Sequence, residues 1–364
     1  MRGVAVLGST GSIGASTLAV LDRHRDRFRV VALAAGSNGR LLAEQIAHWE
    51  PAFAALVCDA GPACLVQAAT HPDVDIVVNA VVGFAGLEAT LAALEAGKRV
   101  ALANKESLVV AGELVLAAAR SGGGELVPVD SEHSAVLQCL AGSRAALRRL
   151  ILTASGGPFR AWEPSRLSEA TVPEALNHPT WRMGSKITVD SATLANKALE
   201  VIEAHHLYGL DFDRIEVVVH PQSIVHAFVE FSDGSVLGQL GFPSMELPIL
   251  YALTHPDRID DPGIRPFDPV SAGPLTFEPV RRDVFRAFDL GVRAGRTGGT
   301  APAVFNAANE VAVGAFLAGA IPFGRIPDII DETLSRHVPG AVTGLAAVQA
   351  ADAWARERAA EVTV

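Results

Sequence analysis

From Gly3 to Asp130, short and nearly uninterrupted apolar runs alternate with stretches of helical period. The runs are GVAVLG, FRVVALAAG, AALVCD, VDIVVNAV, KRVALAN and ELVPVD. Between them lie patterns such as LLAEQIAHW and LEATLAALEAG, the second stopped by a glycine. Strands with so few polar interruptions are covered on both faces, and their alternation with helices predicts a parallel, doubly wound sheet.

The pattern changes after Asp130. A helix SEHSAVLQCLAG leads to a strand LRRLILTAS, then to an irregular stretch from Gly156 to about Ser185 rich in Pro, Gly and Trp. Loops of that length without structure of their own usually carry function. A single helix SATLANKALEVIEAHHLYG is expected next, with Ser191 as its N-cap. IEVVVHPQSIVHAFVEFSDGSVLGQLG reads as strands, with SDGS as a hairpin turn. Pro and Asp crowd residues 256–280, which suits a linker, and helical periods dominate from Arg281 onward. The expected division is therefore 1–130, 131–255, a linker 256–280, and a helical 281–364.

Composition narrows the class. The chain has 364 residues, 49% of them hydrophobic and 19% charged, as in a well-buried globular enzyme of more than one domain. A net charge of −10 argues against nucleic-acid binding, which needs a basic excess, but leaves room for an anionic small substrate. Cys58, Cys64 and Cys139 fit no ligand spacing and read as small buried hydrophobes. MRGVAVLGSTGSIG enters a strand at once, and no apolar run is long enough to span a bilayer. The expectation is a cytoplasmic protein with no membrane partner.

Three features carry chemistry. VAVLGSTGSIGAST spaces Gly8, Gly11 and Gly14 between a strand and a helix, where backbone N–H groups can cradle a pyrophosphate; a plain tight turn is the alternative. The second strand ends AAGSNGR without a carboxylate for a ribose hydroxyl, while Ser37, Asn38 and Arg40 suit a 2′-phosphate, which favours NADPH; an uncommitted loop is the alternative. VDSEHSAVLQ, finally, aims Asp130 and Glu132 to one side of an extended segment, and their repulsion calls for a cation.

Two acids are too few for a hard cation, and Glu200 is the third candidate. It shares a helical face with Asn196 and Lys197. All-oxygen ligands point to Mg²⁺ or Mn²⁺. The bland alternative makes Asp130 a helix cap and Lys197–Glu200 a surface pair. Only Lys98, Lys105, Lys186 and Lys197 are lysines among 30 basic residues, so a compact ammonium at these places is suggestive. Lys105 follows a buried strand in ALANKESLVVAG. Ser155 and two glycines follow another in TASGGPF, and His178, Trp181 and Met183 lie on the long loop.

Taken together, GSTGSIG, ANKESLV, VDSEHSA, ASGGPF, LNHPTWRMG, KITVDSATLANKALEVIEAHHLYG, HPQSIVHAFVEF and NAANEVAV resemble, in order, the 1-deoxy-D-xylulose 5-phosphate reductoisomerase family. The resemblance implies an α/β fold: an N-terminal doubly wound, Rossmann-like parallel sheet, a central α/β catalytic domain with a mobile loop, and a C-terminal helical domain. It implies metal ligands Asp130, Glu132 and Glu200. Substrate contacts would come from Lys105, Ser131, Glu132, Ser155, His178, Ser191, Asn196, Lys197 and Glu200, with Trp181 and Met183 on the lid. Lys105, Glu132 and His178 would act in catalysis. Thr10, Gly11, Ser12, Ile13, Gly36, Ser37, Asn38, Asn104, Glu106 and Gly184 would hold NADPH. Relatives are homodimers acting on a small phosphorylated sugar. Ser37 stands where some relatives carry a basic residue, with Arg40 a substitute. The rival readings are a metal-free two-domain NADP dehydrogenase, suggested by EAGKRVALANK, and a non-catalytic NADP-binding module.

Overall fold

The structure is a computed structural model that describes residues 1–142 and 146–363. The chain divides into two compact units. The first comprises Met1–Ser107, Glu113–Leu137 and Ser244–Pro266; the second comprises Leu108–Gly112, Gln138–Pro243 and Phe267–Val364.

In the first unit the six apolar runs form strands β1 (Arg2–Leu7), β2 (Phe28–Ala35), β3 (Phe53–Leu56), β4 (Ile76–Asn79), β5 (Arg99–Leu102) and β6 (Glu125–Pro128). All pair in parallel, in the order β3-β2-β1-β4-β5-β6. The order reverses beside β1, and ligands of such sheets bind at the carboxyl ends of the strands there. Val4, Val6, Leu33, Ile76 and Val78 lie in its core, each almost fully shielded from water.

The same core holds Ile249, Leu250, Ala252 and Leu253, from the helix Glu246–Thr254. This partition differs from the segments expected from sequence, which gave 131–255 to the catalytic region and 256–280 to a linker. The physical reason is that the helix is apolar nearly all round and is then pinned down. Arg2 and Arg99 donate to the Leu253 carbonyl at 2.7 and 3.2 Å, His255 Nδ1 lies 2.9 Å from Glu125, and Arg23 pairs with Asp261 at 2.7 Å.

The second unit contains a five-stranded sheet in the order β10-β9-β7-β8-β11. Its strands are β7 (Leu147–Ala154), β8 (Ile215–Val219), β9 (Val225–Phe231), β10 (Val236–Leu240) and β11 (Glu278–Pro279). β9 and β10 are antiparallel about the expected SDGS turn, where Gly234 has φ +85°. The C-terminal helical patterns fold as Arg286–Thr297, Ala301–Leu317, Arg325–Ser335 and Leu345–Glu361.

Three expectations need correction. The helix expected to start at Ser191 is two helices, Ser185–Thr193 and Ala195–Tyr208, separated by Leu194 at φ +60°. Ser191 therefore lies inside the first helix and caps nothing. The stretch 156–185 is not wholly irregular, since it carries the short helices Pro164–Leu167 and Val172–Leu176, the second started by a Thr171–Glu174 capping box. Among the cysteines only Cys64 is buried; Cys58 is exposed and Cys139 half-buried. No helix among the described residues is long and apolar enough to cross a membrane.

Candidate active site

The glycine turn is built as a phosphate cradle. β1 ends at Leu7, Gly8 adopts φ +80°, and the helix Ser12–Arg23 starts after Gly11. A Cβ at Gly8 would lie 2.5 Å from the Ala80 carbonyl oxygen, and one at Gly14 would lie 2.3 Å from the Gly8 carbonyl oxygen. Both positions require glycine, one for its left-handed backbone and one for the close approach of helix to turn. Gly11 and Ser12 are exposed at the helix N-terminus, with Thr10 and Ile13 half-buried beside them. Its free N–H groups and positive dipole end fit a pyrophosphate.

At the end of β2, Gly36, Ser37 and Asn38 are exposed, and Asn38 caps the helix Gly39–Trp49 by accepting from Leu41 N–H at 3.2 Å. Arg40 pairs with Glu44 at 2.7 Å, and both side chains are largely exposed. An exposed i,i+4 pair contributes well under about 1 kcal/mol, so it does not bar Arg40 from a 2′-phosphate.

Asn104 turns out to be a structural hub. Its Oδ1 accepts from Ser107 N–H at 3.1 Å, which caps the helix Lys105–Gly122, and its Nδ2 donates to the Val81 and Gly83 carbonyls at 2.8 Å and to Glu106 at 3.0 Å. Those bonds place Lys105 and Glu106, both buried, just beyond the carboxyl end of β5. Lys105 Nζ meets Asp130 Oδ1 at 2.6 Å. Asp130 and Glu132 have carboxylate oxygens within 4.8 Å of each other, and Ser131 donates its hydroxyl to Glu132. Two carboxylates therefore lie close to the Lys105 ammonium. Asp130 is thus an ion-pair partner as well as the residue before the helix Ser131–Cys139.

The second unit supplies its own polar group. Lys197 and Glu200 are 3% and 1% exposed, which removes the surface-pair alternative. Lys197 Nζ donates to Glu200 Oε2 and to the Thr153 carbonyl, and Asn196 Nδ2 donates to Glu200 Oε1 at 2.5 Å. Past β7, Ser155 Oγ lies 2.9 Å from His178 Nε2, and Gly156 and Gly157 adopt φ +83° and +67°. A Cβ at Gly157 would lie 2.6 Å from the Ser191 carbonyl oxygen, so the helix carrying Ser191 packs on this turn. Trp181 and Met183 are half-buried and Gly184 is exposed, with the Trp181 ring 6.4 Å from that of His226.

Sequence reasoning passed over the support beneath this group. Thr153 and Gly157 act through backbone atoms, which leave no side-chain signature. Asp190, buried, pairs with Lys186 at 2.9 Å and accepts from Asn309 at 2.8 Å, fixing the helix that carries Ser191. The scarcity of lysine singles out Lys186, but not the buried Asp190 with which it pairs.

Burial lowers the pKa of His178 from 6.5 to about 4, and burial followed by the charge of His205 does the same for His206. His206 packs on Gly112, where a Cβ would lie 2.3 Å from the imidazole. The folded state thus binds fewer protons than the unfolded state between about pH 4 and 6.5, and stability falls as pH drops through that window. For these partly exposed rings the loss should be on the order of 1–2 kcal/mol each. Urea midpoints at pH 7 and 4.5 check it: His206→Gln, which cannot charge, should flatten the acid limb, and an unchanged limb would exclude His206 as its source.

Comparison with known proteins settles the family. Models of 1-deoxy-D-xylulose 5-phosphate reductoisomerase match residues 4–61 and 55–112, and models of its C-terminal domains match 126–208 and 240–358. The curated 1-deoxy-D-xylulose 5-phosphate reductoisomerase of Symbiobacterium thermophilum is 51% identical over 386 residues, covering 100% of this chain and 99% of its own. This chain belongs to the 1-deoxy-D-xylulose 5-phosphate reductoisomerase family. The Heliobacterium modesticaldum reductoisomerase is also 51% identical, across 99% of this chain and 97% of its own. Two solved reductoisomerases share the fold. A DOX-P reductoisomerase in complex with NADPH, fosmidomycin and magnesium superposes with a TM-score of 0.93 at 40% identity, covering 100% of this chain and 98% of its own. The Zymomonas mobilis reductoisomerase in complex with NADPH gives 0.92 at 41%, covering 100% and 99%. The expected α/β class with its N-terminal dinucleotide-type sheet is that of these reductoisomerases.

Proposed function

We propose that this reductoisomerase converts 1-deoxy-D-xylulose 5-phosphate to 2-C-methyl-D-erythritol 4-phosphate, a rearrangement and reduction that depends on NADPH and on Mg²⁺ or Mn²⁺. The full-length identity to reductoisomerases carries this reading. The residue roles are our own assignment.

The residues fit both groups. At Gly8 and Gly14 a Cβ would meet the Ala80 and Gly8 carbonyl oxygens, so glycine there lets turn and helix pack closely enough to aim the N–H groups of the helix Ser12–Arg23 at a pyrophosphate. Thr10, Gly11, Ser12 and Ile13 would hold it, Gly36, Ser37, Asn38 and Arg40 the adenosine end, and Glu106 and Gly184 the nicotinamide end. Asn104 would act by positioning Glu106. Asp130, Glu132 and Glu200 offer only oxygen, as a hard divalent cation prefers. A carboxylate oxygen has two lone pairs, so the bonds from Asn196 and Lys197 do not bar Glu200 from a cation.

When bound, the ion supplies Lewis acidity to carbonyl and hydroxyl oxygens of the substrate, and NADPH supplies hydride. The protein's share is charge and placement. Lys105, held by Asp130, presents an ammonium beside the oxygens where negative charge develops. Glu132 moves a proton. Ser155, Ser191, Asn196 and Lys197 anchor the phosphate, and binding energy from that remote end orients the reacting one. The segment bearing His178, Trp181 and Met183 closes over the substrate and excludes water. The enzyme works as a cytoplasmic homodimer. Half-exposed Val236 and Leu237 on the edge strand β10 offer apolar surface for a second copy.

The decisive assay follows NADPH absorbance with 1-deoxy-D-xylulose 5-phosphate. Turnover is expected with Mg²⁺ or Mn²⁺ and a fall of at least about a hundredfold after chelation. Metal-independent oxidation of NADPH by a simple aldehyde would instead favour an ordinary dehydrogenase.

A further inference from the structure

The hydroxyl of Ser155 is a junction whose hydrogen-bond directions can be counted. Nε2 of His178 lies 2.9 Å from Ser155 Oγ, and the Gly157 backbone N–H donates to the same oxygen at 3.2 Å. The other ring nitrogen, Nδ1, accepts from the backbone N–H of Thr180 at 3.1 Å and of Trp181 at 2.9 Å. A nitrogen that accepts carries no proton. Two N–H groups aimed at Nδ1 therefore exclude both the imidazolium and the Nδ1–H tautomer, and the ring proton sits on Nε2.

Nε2–H must then donate to Ser155. A serine oxygen has two lone pairs and one proton. One lone pair takes Nε2–H and the other takes the Gly157 N–H, so the hydroxyl proton points away from both. Ser155 donates to no acceptor among the described residues.

We infer that His178 is a positioning residue that turns Ser155 into a donor-only contact, aimed at an unprotonated phosphoryl oxygen. The inference rests on the reading that the substrate phosphate binds at this turn. It also adds to it: one imidazole both closes the 178–181 turn that carries Trp181 and sets the direction of the Ser155 hydroxyl. Turn formation and anion recognition then share a single ring.

Two substitutions separate these duties. In His178→Asn the side-chain carbonyl can replace Nδ1 as acceptor for the turn, but nothing replaces Nε2–H. In His178→Gln the amide can still donate toward Ser155, but the turn loses its acceptor. His178→Asn should raise KM for 1-deoxy-D-xylulose 5-phosphate about tenfold and change kcat less than about threefold, the effect of one lost hydrogen bond. Adding Ser155→Ala to His178→Asn should cost much less than Ser155→Ala costs alone, because the two act as one unit. His178→Gln should mainly lower kcat.

The tautomer has a direct readout that needs no turnover. In the full chain labelled with ¹⁵N-histidine, the His178 signals, assigned by their loss in His178→Asn, should show an unprotonated Nδ1 and a protonated Nε2 near pH 7. An Nδ1–H tautomer, an imidazolium, or additive effects in the double variant would each overturn the inference. Absence of wild-type turnover with a correct tautomer would sink the proposed reaction and the assignment of the ligand, while leaving the hydrogen-bond geometry standing.

Discussion

Glu200→Gln is expected to lower metal-dependent turnover at least about a hundredfold while NADPH affinity stays within about twofold. Two effects combine. The proposed ion loses one of its three carboxylates, and a neutral amide oxygen is a weaker ligand for a hard cation. Lys197, only 3% exposed, also loses the carboxylate that neutralises it. Leaving one partner of a buried pair charged costs about 3–5 kcal/mol, so the variant should also melt earlier. Instability alone could mimic a catalytic loss, so turnover is read well below the variant's thermal midpoint, where circular dichroism shows it folded. Wild-type turnover there would show that Glu200 serves only Lys197 and is no ligand.

The second large effect is expected at the cofactor turn. Gly14→Ala should weaken NADPH binding at least about tenfold, because the added methyl would lie 2.3 Å from the Gly8 carbonyl oxygen and 2.6 Å from Ser9. Those neighbours are backbone, so either the turn opens or the helix Ser12–Arg23 withdraws. Overpacking of this kind costs about 1–3 kcal/mol, and any withdrawal moves N–H groups away from the pyrophosphate. NADPH fluorescence titration and thermal unfolding check both arms. Wild-type affinity would mean that the turn tolerates the shift and that the cradle lies elsewhere. Gly11, whose Cβ would sit 3.3 Å from the Gly8 carbonyl, should tolerate alanine better.

The N-terminal sheet was legible because each of its six strands is built around an apolar run, buried in β1 and β2 apart from Arg2 and Arg29 and only partly buried in β3 at the sheet edge. The acidic pair Asp130–Glu132 stood out in the sequence on a premise the fold does not keep. The strand ends at Pro128 and Glu132 lies in the helix Ser131–Cys139, so the two oxygens come within 4.8 Å across a strand-to-helix turn and not by alternation along an extended segment. What stayed hidden depends on the neighbours a segment meets. Nothing in ELPILYALT says which sheet it will cover, so Glu246–Thr254 could not be assigned to the first unit from its own pattern. Burial of Lys197 and Glu200 was equally hidden, since an i,i+3 charge pair reads the same inside a protein as on its surface. The break at Leu194 had no warning, because leucine is a poor choice for a left-handed backbone and glycine is the residue one looks for. Arg40 was read as available to a phosphate, and only the fold shows it paired with Glu44.

That leucine has a geometric consequence. Along an unbroken helix successive residues advance by about 100°, so Ser191 and Glu200 would point in opposite directions. Interposing one left-handed residue resets the phase. The loop beyond β7 then meets the backbone of Ser191 at Gly157, while the Thr153 carbonyl at the end of that strand meets the ammonium of Lys197. A single reversed dihedral thus lets two consecutive helices meet the same strand end, one through the Ser191 carbonyl at Gly157 and the other through Lys197 at Thr153.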